Sequence, residues 1–272
     1  MKPVARFVPL MVLLAVLLAV ALGPALAQSD SPIYNEVQLL VPEVVSVRPH
    51  DPGAYTQGLL LYNGFLYEST GRNGESTLRK VDPATGEVLQ SVNIPEEYFA
   101  EGLALVGDKL IQLTWHEGVA FVYNLDTFEQ TGTFQYQGEG WGLCTDDRFL
   151  YMSDGTSFLE LRDPETFELI FSGMVTVQGQ LVDRLNELEC VGDYIYANMW
   201  QTNYILQIDK MNGVVVAVID ATSLLTDQER AQFQFTDQEV LNGIAYNPET
   251  DTFLITGKHW PKMFEVRFVK QQ

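Results

Sequence analysis

The chain has 272 residues, of which 36 are acidic and 16 are basic, so its formal net charge at pH 7 is −20. This excess of negative charge argues against nucleic acid as a partner, and it either favours cationic ligands or serves only to keep the protein soluble. Only two cysteines occur, Cys144 and Cys190, which excludes a small fold held together by many disulfides.

The first 27 residues have the composition of a secretory signal peptide. Lys2 and Arg6 precede an apolar stretch over residues 8–22, and the segment ends in Ala-Leu-Ala at Ala27. That stretch is shorter than the roughly 20 residues that cross a bilayer, so a cleaved signal is favoured over a membrane anchor. We predict a signal peptide over residues 1–27 and a single domain over residues 28–272, secreted or periplasmic and free of the membrane after cleavage.

After this segment one pattern recurs five times: a polar or aromatic residue, a small residue or Glu, and then Leu or Ile opening a strand. The copies are QGL at 57, EGL at 101, WGL at 141, NEL at 186 and NGI at 242, in steps of 44, 40, 45 and 56 residues. A repeat of this size with several short strands is typical of a propeller blade. The sequence therefore predicts an all-β fold, a five-bladed β-propeller, with a β-sandwich or an open barrel as the alternative.

Strands can be assigned within the copies in chain order. The stretch VQLLVPEVVSVRP before the first copy is expected to supply the outer strand that the last copy lacks, and so to close the ring. The first copy contains FLYEST, TLRKVD and EVLQSVNI, and the second contains KLIQLTW, VAFVYNL and EQTGTFQY. The long last step includes ATSLLTDQERAQFQF, where Thr222 or Ser223 could cap a short helix.

Equivalent positions in all blades of a propeller form rings around the central channel. The residues that open the copies form one such series: Gln57, Glu101, Trp141, Asn186 and Asn242. A second series lies 13 to 16 residues later, at the end of the second strand: Thr70, Trp115, Asp154, Trp200 and Lys258. A single tryptophan would fit blade-to-blade packing, but three at equivalent positions, with an acid and a lysine, predict an aromatic pocket for a small ligand.

Other chemistries have little support in the sequence. The three histidines, His50, His116 and His259, lack the spacing of a zinc motif, and no nucleophile elbow or phosphate-binding glycine loop occurs. Cys144 and Cys190 lie in equivalent strands of neighbouring copies, where alternation of side chains allows them either to meet or to point apart. Their pairing stays open.

Several strings resemble a known family when taken in order: YTQGLLLYNGFLYESTG, EGLALVGDKLIQLTW, GEGWGL, LNELE, YANMW and VLNGIAYNPETDTFLITGKHWPK. They are similar to the plant-type and bacterial glutaminyl cyclases, a five-bladed propeller family unrelated to the zinc-dependent animal enzymes. The resemblance covers about residues 47–266. It falls on both series that the repeats had singled out.

The resemblance implies a role for each matching residue. The family's catalytic glutamate corresponds to Glu101, and its other polar site residues correspond to Gln57, Asn186 and Lys258. Its pocket aromatics correspond to Trp115, Trp141, Trp200, Tyr55 and Phe99. The chain departs from the usual pattern at Ala100, where the family has Gly, and at Cys190, where Trp often follows LNELE.

The implied reaction converts N-terminal glutamine of peptides or proteins into pyroglutamate, which makes the protein an acyltransferase. The substrate α-amine attacks its own γ-carbonyl and ammonia leaves, with Glu101 expected to carry the proton. Lys258 and Asn186 would polarise the carbonyl or hold the leaving amide, and Gln57 would orient the amine or the backbone carbonyl. No cofactor is required, and we expect a monomer.

Two alternatives stay open at this point. Glu101, Asn186, Asn242 and Asp154 could ring a calcium ion on the axis, as in a metal-dependent, lactonase-like propeller hydrolase. An axial calcium ion could also be structural and coexist with cyclase activity. The second alternative is a propeller that binds a ligand without catalysis.

Overall fold

β-Strands provide nearly all of the regular structure, as predicted for an all-β protein. The computed structural model describes residues 36–271, so the predicted signal peptide lies outside the described residues. The described residues belong to one compact unit. Among the helices in that part of the chain, none is both long and apolar enough to cross a bilayer.

The first strand, β1 (Gln38–Pro49), is followed by three consecutive four-stranded antiparallel sheets. The first sheet contains β2 (Thr56–Tyr62), β3 (Phe65–Thr70), β4 (Thr77–Val81) and β5 (Val88–Asn93). The second contains β6 (Ala100–Val106), β7 (Lys109–Thr114), β8 (Val119–Asn124) and β9 (Gln130–Gln135). The third contains β10 (Leu143–Thr145), β11 (Leu150–Ser153), β12 (Phe158–Arg162) and β13 (Leu169–Met174). The strands predicted for the first two copies coincide with β3–β5 and β7–β9 to within two residues.

A hairpin, β14 (Thr176–Val177) and β15 (Gln180–Leu181), separates the third sheet from an eight-stranded one. The larger sheet is built from β16 (Leu185–Val191), β17 (Tyr194–Met199), β18 (Tyr204–Asp209), β19 (Val215–Asp220), β20 (Leu241–Asn247), β21 (Thr252–Gly257), β22 (Lys262–Lys270) and β1. Its order is β16-β17-β18-β19-β1-β22-β21-β20. Strand β1 runs parallel to β19 over Gln38 to Leu40 and antiparallel to β22 up to Pro49.

The small residue of the repeated motif allows the first strands of successive groups to approach closely. A Cβ atom added at Gly58 would lie 2.6 Å from the backbone nitrogen of Leu103, and one at Gly142 would overlap the carbonyl oxygen of Asn186. Strands β2, β6, β10, β16 and β20 contact one another in this order, and β20 also contacts β2. Glycine is therefore required by backbone proximity.

The fourth copy has Glu187 where all four others have glycine, and its side chain reaches two other first strands. Oε1 accepts a hydrogen bond from Leu59 N in β2 at 3.2 Å, and Oε2 accepts one from Ile244 N in β20 at 2.8 Å. The carboxylate thereby satisfies two backbone donors, one from each of these strands. Glu187 is 1% exposed.

The two cysteines form a disulfide between β10 and β16, with a Cα–Cα distance of 5.5 Å between Cys144 and Cys190. The sequence left this pairing open. Around the bond, a cluster of buried apolar residues that includes Leu159 and Leu188 fills the space between neighbouring sheets. The bond thus adds a covalent link where two sheets already pack.

The predicted helix exists, but Thr226 caps it, so the prediction of Thr222 or Ser223 as the cap is wrong. Thr222–Leu224 forms a 3₁₀ turn, and α1 (Asp227–Gln232) begins after Thr226. The Thr226 hydroxyl accepts from Glu229 N, and the Glu229 side chain accepts from Thr226 N. This reciprocal capping box places the N-terminus four residues later than Thr222.

Candidate active site

A cavity of about 330 Å³ gathers the predicted site residues. Its wall contains every residue that the resemblance implicated, together with Gln238: Tyr55, Gln57, Phe99, Glu101, Trp115, Trp141, Asn186, Trp200 and Lys258. The volume lies in the range of pockets that enclose small ligands. Residues up to 203 positions apart in the chain are therefore brought to one place.

Irregular pairing in the first strands occurs at Gln57, Glu101 and Asn186, which line this cavity, and at Asn242, which does not. The register between first and second strands shifts at Gln57 in β2, at Glu101 in β6, at Asn186 in β16 and at Asn242 in β20. Such bulges turn a side chain away from the regular alternation and are frequent beside active sites. Trp115, Trp200 and Lys258 follow the second strands, where Trp115 N bonds to Phe99 O and Lys258 N bonds to Val240 O, each at 2.9 Å.

Glu101 is buried and held by a chain of amide hydrogen bonds. Gln57 Nε2 donates to Oε1 of Glu101 at 2.8 Å. Asn242 Nδ2 in turn donates to Oε1 of Gln57 at 3.1 Å and to the carbonyl oxygen of Thr56 at 2.9 Å. The chain fixes the orientation of the Glu101 carboxyl group, which is 4% exposed.

The cavity favours the neutral forms of its acid and its base. Burial raises the pKa of Glu101 well above its ordinary value, and the positive charge of Lys258 only partly opposes this. Burial also lowers the pKa of Lys258 to about 8, against the attraction of Glu101. Among the ion pairs of the described residues, none joins Glu101 to Lys258 within 4.0 Å. The two shifts bring the pKa of the acid and the pKa of the base closer together, which suits proton exchange between groups in the cavity.

The aromatic residues form two contacting groups. Phe99 packs edge to face with Tyr55 at 6.0 Å between ring centroids and with Trp115 at 5.5 Å. Trp141 and Trp200 meet edge to face at 5.3 Å. Lys258 Nζ lies 4.7 Å from the centre of the Tyr55 ring, a distance suited to a cation–π contact. These rings make most of the cavity wall apolar.

Glu139, which no sequence pattern singled out, links two tryptophans that come from different sheets. Its Oε2 accepts from Trp115 Nε1 at 2.7 Å and from Trp141 Nε1 at 2.9 Å. The ring of His116 stacks on Trp115 at 3.7 Å, and its Nδ1 lies 3.4 Å from Glu139 Oε1. Glu139 therefore fixes the separation of the two indole rings.

One fully buried polar side-chain atom of the cavity residues has no hydrogen-bond partner among the described residues. Within residues 36–271, Oδ1 of Asn186 is buried and makes no hydrogen bond. A buried amide oxygen without a donor is unfavourable, so a ligand N–H is its natural partner. Gln238, which also lines the cavity, comes from the segment between α1 and β20, where no repeat exists to reveal it.

The remaining members of the two series do not line the cavity. Asp154 Oδ1 accepts from the backbone nitrogen and the hydroxyl of Thr156, at 2.9 and 2.6 Å. The Thr70 hydroxyl bonds to that of Thr77 at 2.6 Å. Asp154 is therefore engaged in its own turn and does not join Glu101, Asn186 and Asn242 around one point.

Known proteins are similar to this chain in sequence and in structure. The family model for glutamine cyclotransferase matches residues 15–268, a span that includes every cavity residue. A glutaminyl-peptide cyclotransferase of Arabidopsis thaliana is 39% identical over 227 residues, which are 83% of this chain and 70% of the plant protein. The crystal structure of Myxococcus xanthus glutaminyl cyclase matches with a TM-score of 0.81 at 38% identity, over 87% of this chain and 100% of the other. This chain therefore belongs to the glutamine cyclotransferase family.

Proposed function

We propose that this member of the glutamine cyclotransferase family converts N-terminal glutamine of peptides and proteins into pyroglutamate, with Glu101 as the proton shuttle. The observation that carries the proposal is the buried Glu101 carboxyl group, held by Gln57 in an aromatic cavity that also contains Lys258 and Asn186. The other cavity residues supply the groups that the cyclisation needs.

The reaction forms one bond and breaks another. The α-amine nitrogen bonds to the γ-carbonyl carbon, giving a tetrahedral intermediate with a negative oxygen, and the bond from that carbon to the amide nitrogen then breaks. Glu101 takes a proton from the attacking nitrogen and returns it to the leaving nitrogen, which departs as ammonia. Its raised pKa suits a group that must do both.

Gln57 keeps Glu101 in position. Because its amide nitrogen already donates to Oε1 of Glu101, we assign Gln57 to the carboxyl group, in place of the substrate amine considered from the sequence. Oε2 of Glu101 is then directed to the substrate. Fixing a proton acceptor in advance reduces the reorganisation needed in the transition state.

Lys258 and Asn186 act on the γ-amide. The Lys258 ammonium stabilises the negative oxygen of the intermediate, which is worth most in a buried site. The unpartnered Oδ1 of Asn186 accepts a hydrogen bond from the leaving NH₂ group. The aromatic wall folds the glutamine side chain towards its own amine and excludes water.

The fold that carries this site is, in our proposal, a five-bladed propeller closed by β1. Supporting it are the three separate four-stranded sheets, the cyclic order of contacts among β2, β6, β10, β16 and β20, and the position of β1 between β19 and β22. Deleting residues 38–49 should then prevent folding, whereas an open arrangement of sheets would tolerate the loss. Circular dichroism and thermal melting of the truncated protein decide this.

We also propose that the enzyme is exported as a monomer and needs no cofactor. The Cys144–Cys190 disulfide fits an oxidising compartment. Mass spectrometry of the exported protein should give residue 28 as its N-terminus, as glutamine or as pyroglutamate, and sedimentation should give one chain per particle. Activity should survive dialysis against a chelator, and loss of activity there would favour the calcium-dependent hydrolase.

The proposed activity is tested with Gln-Phe as substrate and ammonia release as the readout. The wild-type protein should release ammonia, and Glu101→Gln should lose about 10³-fold or more in kcat while still binding the dipeptide. Retention of wild-type turnover by Glu101→Gln contradicts the shuttle role. Binding of the dipeptide without ammonia release by the wild type would support the non-catalytic alternative.

A further inference from the structure

His50 and Glu68 form a buried ion pair behind the cavity, and neither residue lines it. His50 Nε2 lies 2.9 Å from Oε1 of Glu68, and the two residues are 7% and 2% exposed. His50 directly follows β1, and Glu68 lies in β3. No step of the proposed reaction uses either group.

The partners of the pair determine its protonation. His50 Nδ1 lies 2.6 Å from the carbonyl oxygen of Trp260, which can only accept, and Nε2 faces a carboxylate. Each ring nitrogen therefore carries a proton, so His50 is an imidazolium. Burial alone would lower the pKa of His50, but Glu68, the Trp260 carbonyl and Asp51 together outweigh it and raise the pKa. Burial alone would raise the pKa of Glu68, but His50, Thr56 and Arg79 together outweigh it and lower the pKa.

Among the described residues, two other charged side chains act electrostatically on the pair, those of Asp51 and Arg79. They bond to each other, with 2.7 Å between Oδ2 of Asp51 and NH1 of Arg79. The two hydroxyl groups at the pair are those of Thr56, which donates to Glu68 Oε1 at 2.7 Å, and Thr256, 3.2 Å from His50 Nδ1. His50 is thus neutralised chiefly by Glu68.

The pair connects two segments that carry site residues. Thr56, bonded to Glu68, stands between Tyr55 and Gln57 in the chain. Trp260, bonded to His50, stands two residues after Lys258 in the turn between β21 and β22.

Backbone hydrogen bonds run between the same two segments, from His259 N to Ala54 O at 2.8 Å and from His50 N to Pro261 O at 3.1 Å. The charged pair lies at the centre of this junction. A change in it is therefore transmitted to both sides of the cavity.

We infer that His50 and Glu68 are positioning residues, which hold the Gln57 segment and the Lys258 turn in register across the cavity. The inference rests on the proposed function in that Gln57 orients Glu101 and Lys258 stabilises the oxyanion. Loss of the ion pair lets the two segments move apart, although every group that contacts the substrate is still present. A displacement of about 1 Å in such a site costs about 10²-fold in rate.

The experiment uses two variants of the full chain and one control. His50→Ala removes the ring, whereas Glu68→Gln keeps an acceptor for Thr56 and removes only the charge, so it stays informative if His50→Ala does not fold. The control is Lys210→Met, which breaks the Lys210–Asp146 pair at 3.5 Å, with exposures of 7% and 24%, away from the cavity. All three should lower the melting temperature.

The readout that separates positioning from stability is the titration of Lys258, followed by NMR of labelled lysine. In the wild type its pKa should be about 8. In His50→Ala it should rise, because a displaced turn exposes the ammonium to water, with a smaller rise in Glu68→Gln and none in Lys210→Met. In the same order, kcat on Gln-Phe should fall by about 10²-fold, several-fold and not at all, with KM changing less than kcat.

An unchanged Lys258 pKa in both variants, or an equal shift in Lys210→Met, overturns the inference and leaves the pair a purely stabilising one. Failure of the proposed function gives a different result. In that case Glu101→Gln keeps its turnover, while the Lys258 titration still reports whether the pair holds the turn. The two conclusions can therefore fail separately.

Discussion

Gln57 donates a hydrogen bond from Nε2 to Oε1 of Glu101 at 2.8 Å, so the acid at the centre of the cavity is held by an amide from the neighbouring sheet. Replacing Gln57 with Met keeps the length of the side chain and removes the donor. We expect kcat to fall by about 10- to 100-fold with little change in KM, because the loss affects orientation of Glu101 and not binding. Steady-state kinetics on Gln-Phe measures this. A rise in KM at constant kcat would instead assign Gln57 to the substrate.

The pH dependence should be bell-shaped. Glu101 must be ionised to accept a proton, and burial raises its pKa, so kcat/KM should fall on the acid side at a pH well above 4.5. Lys258 must be charged, and its pKa is lowered to about 8, so kcat/KM should also fall above that pH. In Lys258→Arg the guanidinium stays protonated, so the residual activity should lack the alkaline fall. The substrate amine titrates identically in both enzymes, and an unchanged alkaline limb in the variant would mean that Lys258 is not its source.

Glu139 offers a matched pair of substitutions. Glu139→Gln retains an oxygen for the Trp115 and Trp141 indoles but removes a negative charge that raises the pKa of Glu101, so the acid limb should move to lower pH at similar KM. Glu139→Leu removes both the charge and the acceptor, so KM should also rise, by several-fold, because the indole rings lose their fixed separation. Equal KM values for the two variants would show that the hydrogen bonds from the two indoles to Glu139 do not shape the pocket.

The disulfide should support stability and not catalysis. Cys144 and Cys190 are 46 residues apart in sequence, and closing a loop of that size is worth about 4 kcal/mol. The double variant Cys144→Ser, Cys190→Ser should therefore melt on the order of 10 °C lower, while kcat at 25 °C stays near that of the wild type. A reductant should lower the melting temperature of the wild type but not of the variant. A large loss of kcat in the folded variant would indicate that the bond also shapes the site.

Gly142 should not tolerate a side chain. A Cβ atom there would overlap the carbonyl oxygen of Asn186, so Gly142→Ala should displace a cavity residue and lower both the melting temperature and kcat. The control is Gly132→Ala in β9, where a Cβ would meet no atom within 4 Å. The control should stay within about 0.5 kcal/mol of the wild type. Similar behaviour of the two variants would exclude close strand approach as the reason for the glycine.

The repeats predicted the cavity because they carry positional information. Glu101 belongs to one series of equivalent positions and Lys258 to the other, and the family resemblance, confirmed by the comparisons, falls on both series. The residues outside the repeat could not be found in this way. Glu139 stands beside a motif and contacts it only through side chains, and Gln238 comes from the inserted segment. The roles of the individual side chains stay predictions.

The helix cap and the disulfide were also harder to predict from the sequence than the repeats. Thr222, Ser223 and Thr226 can each cap a helix, and only the reciprocal bonds with Glu229 select Thr226. Likewise, strand alternation allowed Cys144 and Cys190 to meet or to diverge, and the three-dimensional arrangement of β10 and β16 brings them together. Both choices depend on distances that a linear pattern does not contain.

Glu187 accepts hydrogen bonds from Leu59 N and Ile244 N, and no other copy of the repeat has an acidic residue at this position. A gene that duplicated the second or third unit in place of the fourth would encode a similar strand pattern, yet it would leave the backbone amides of Leu59 and Ile244 without this acceptor. Shuffling or expansion of these modules, in evolution or in the laboratory, must therefore retain the one module that carries this acidic side chain.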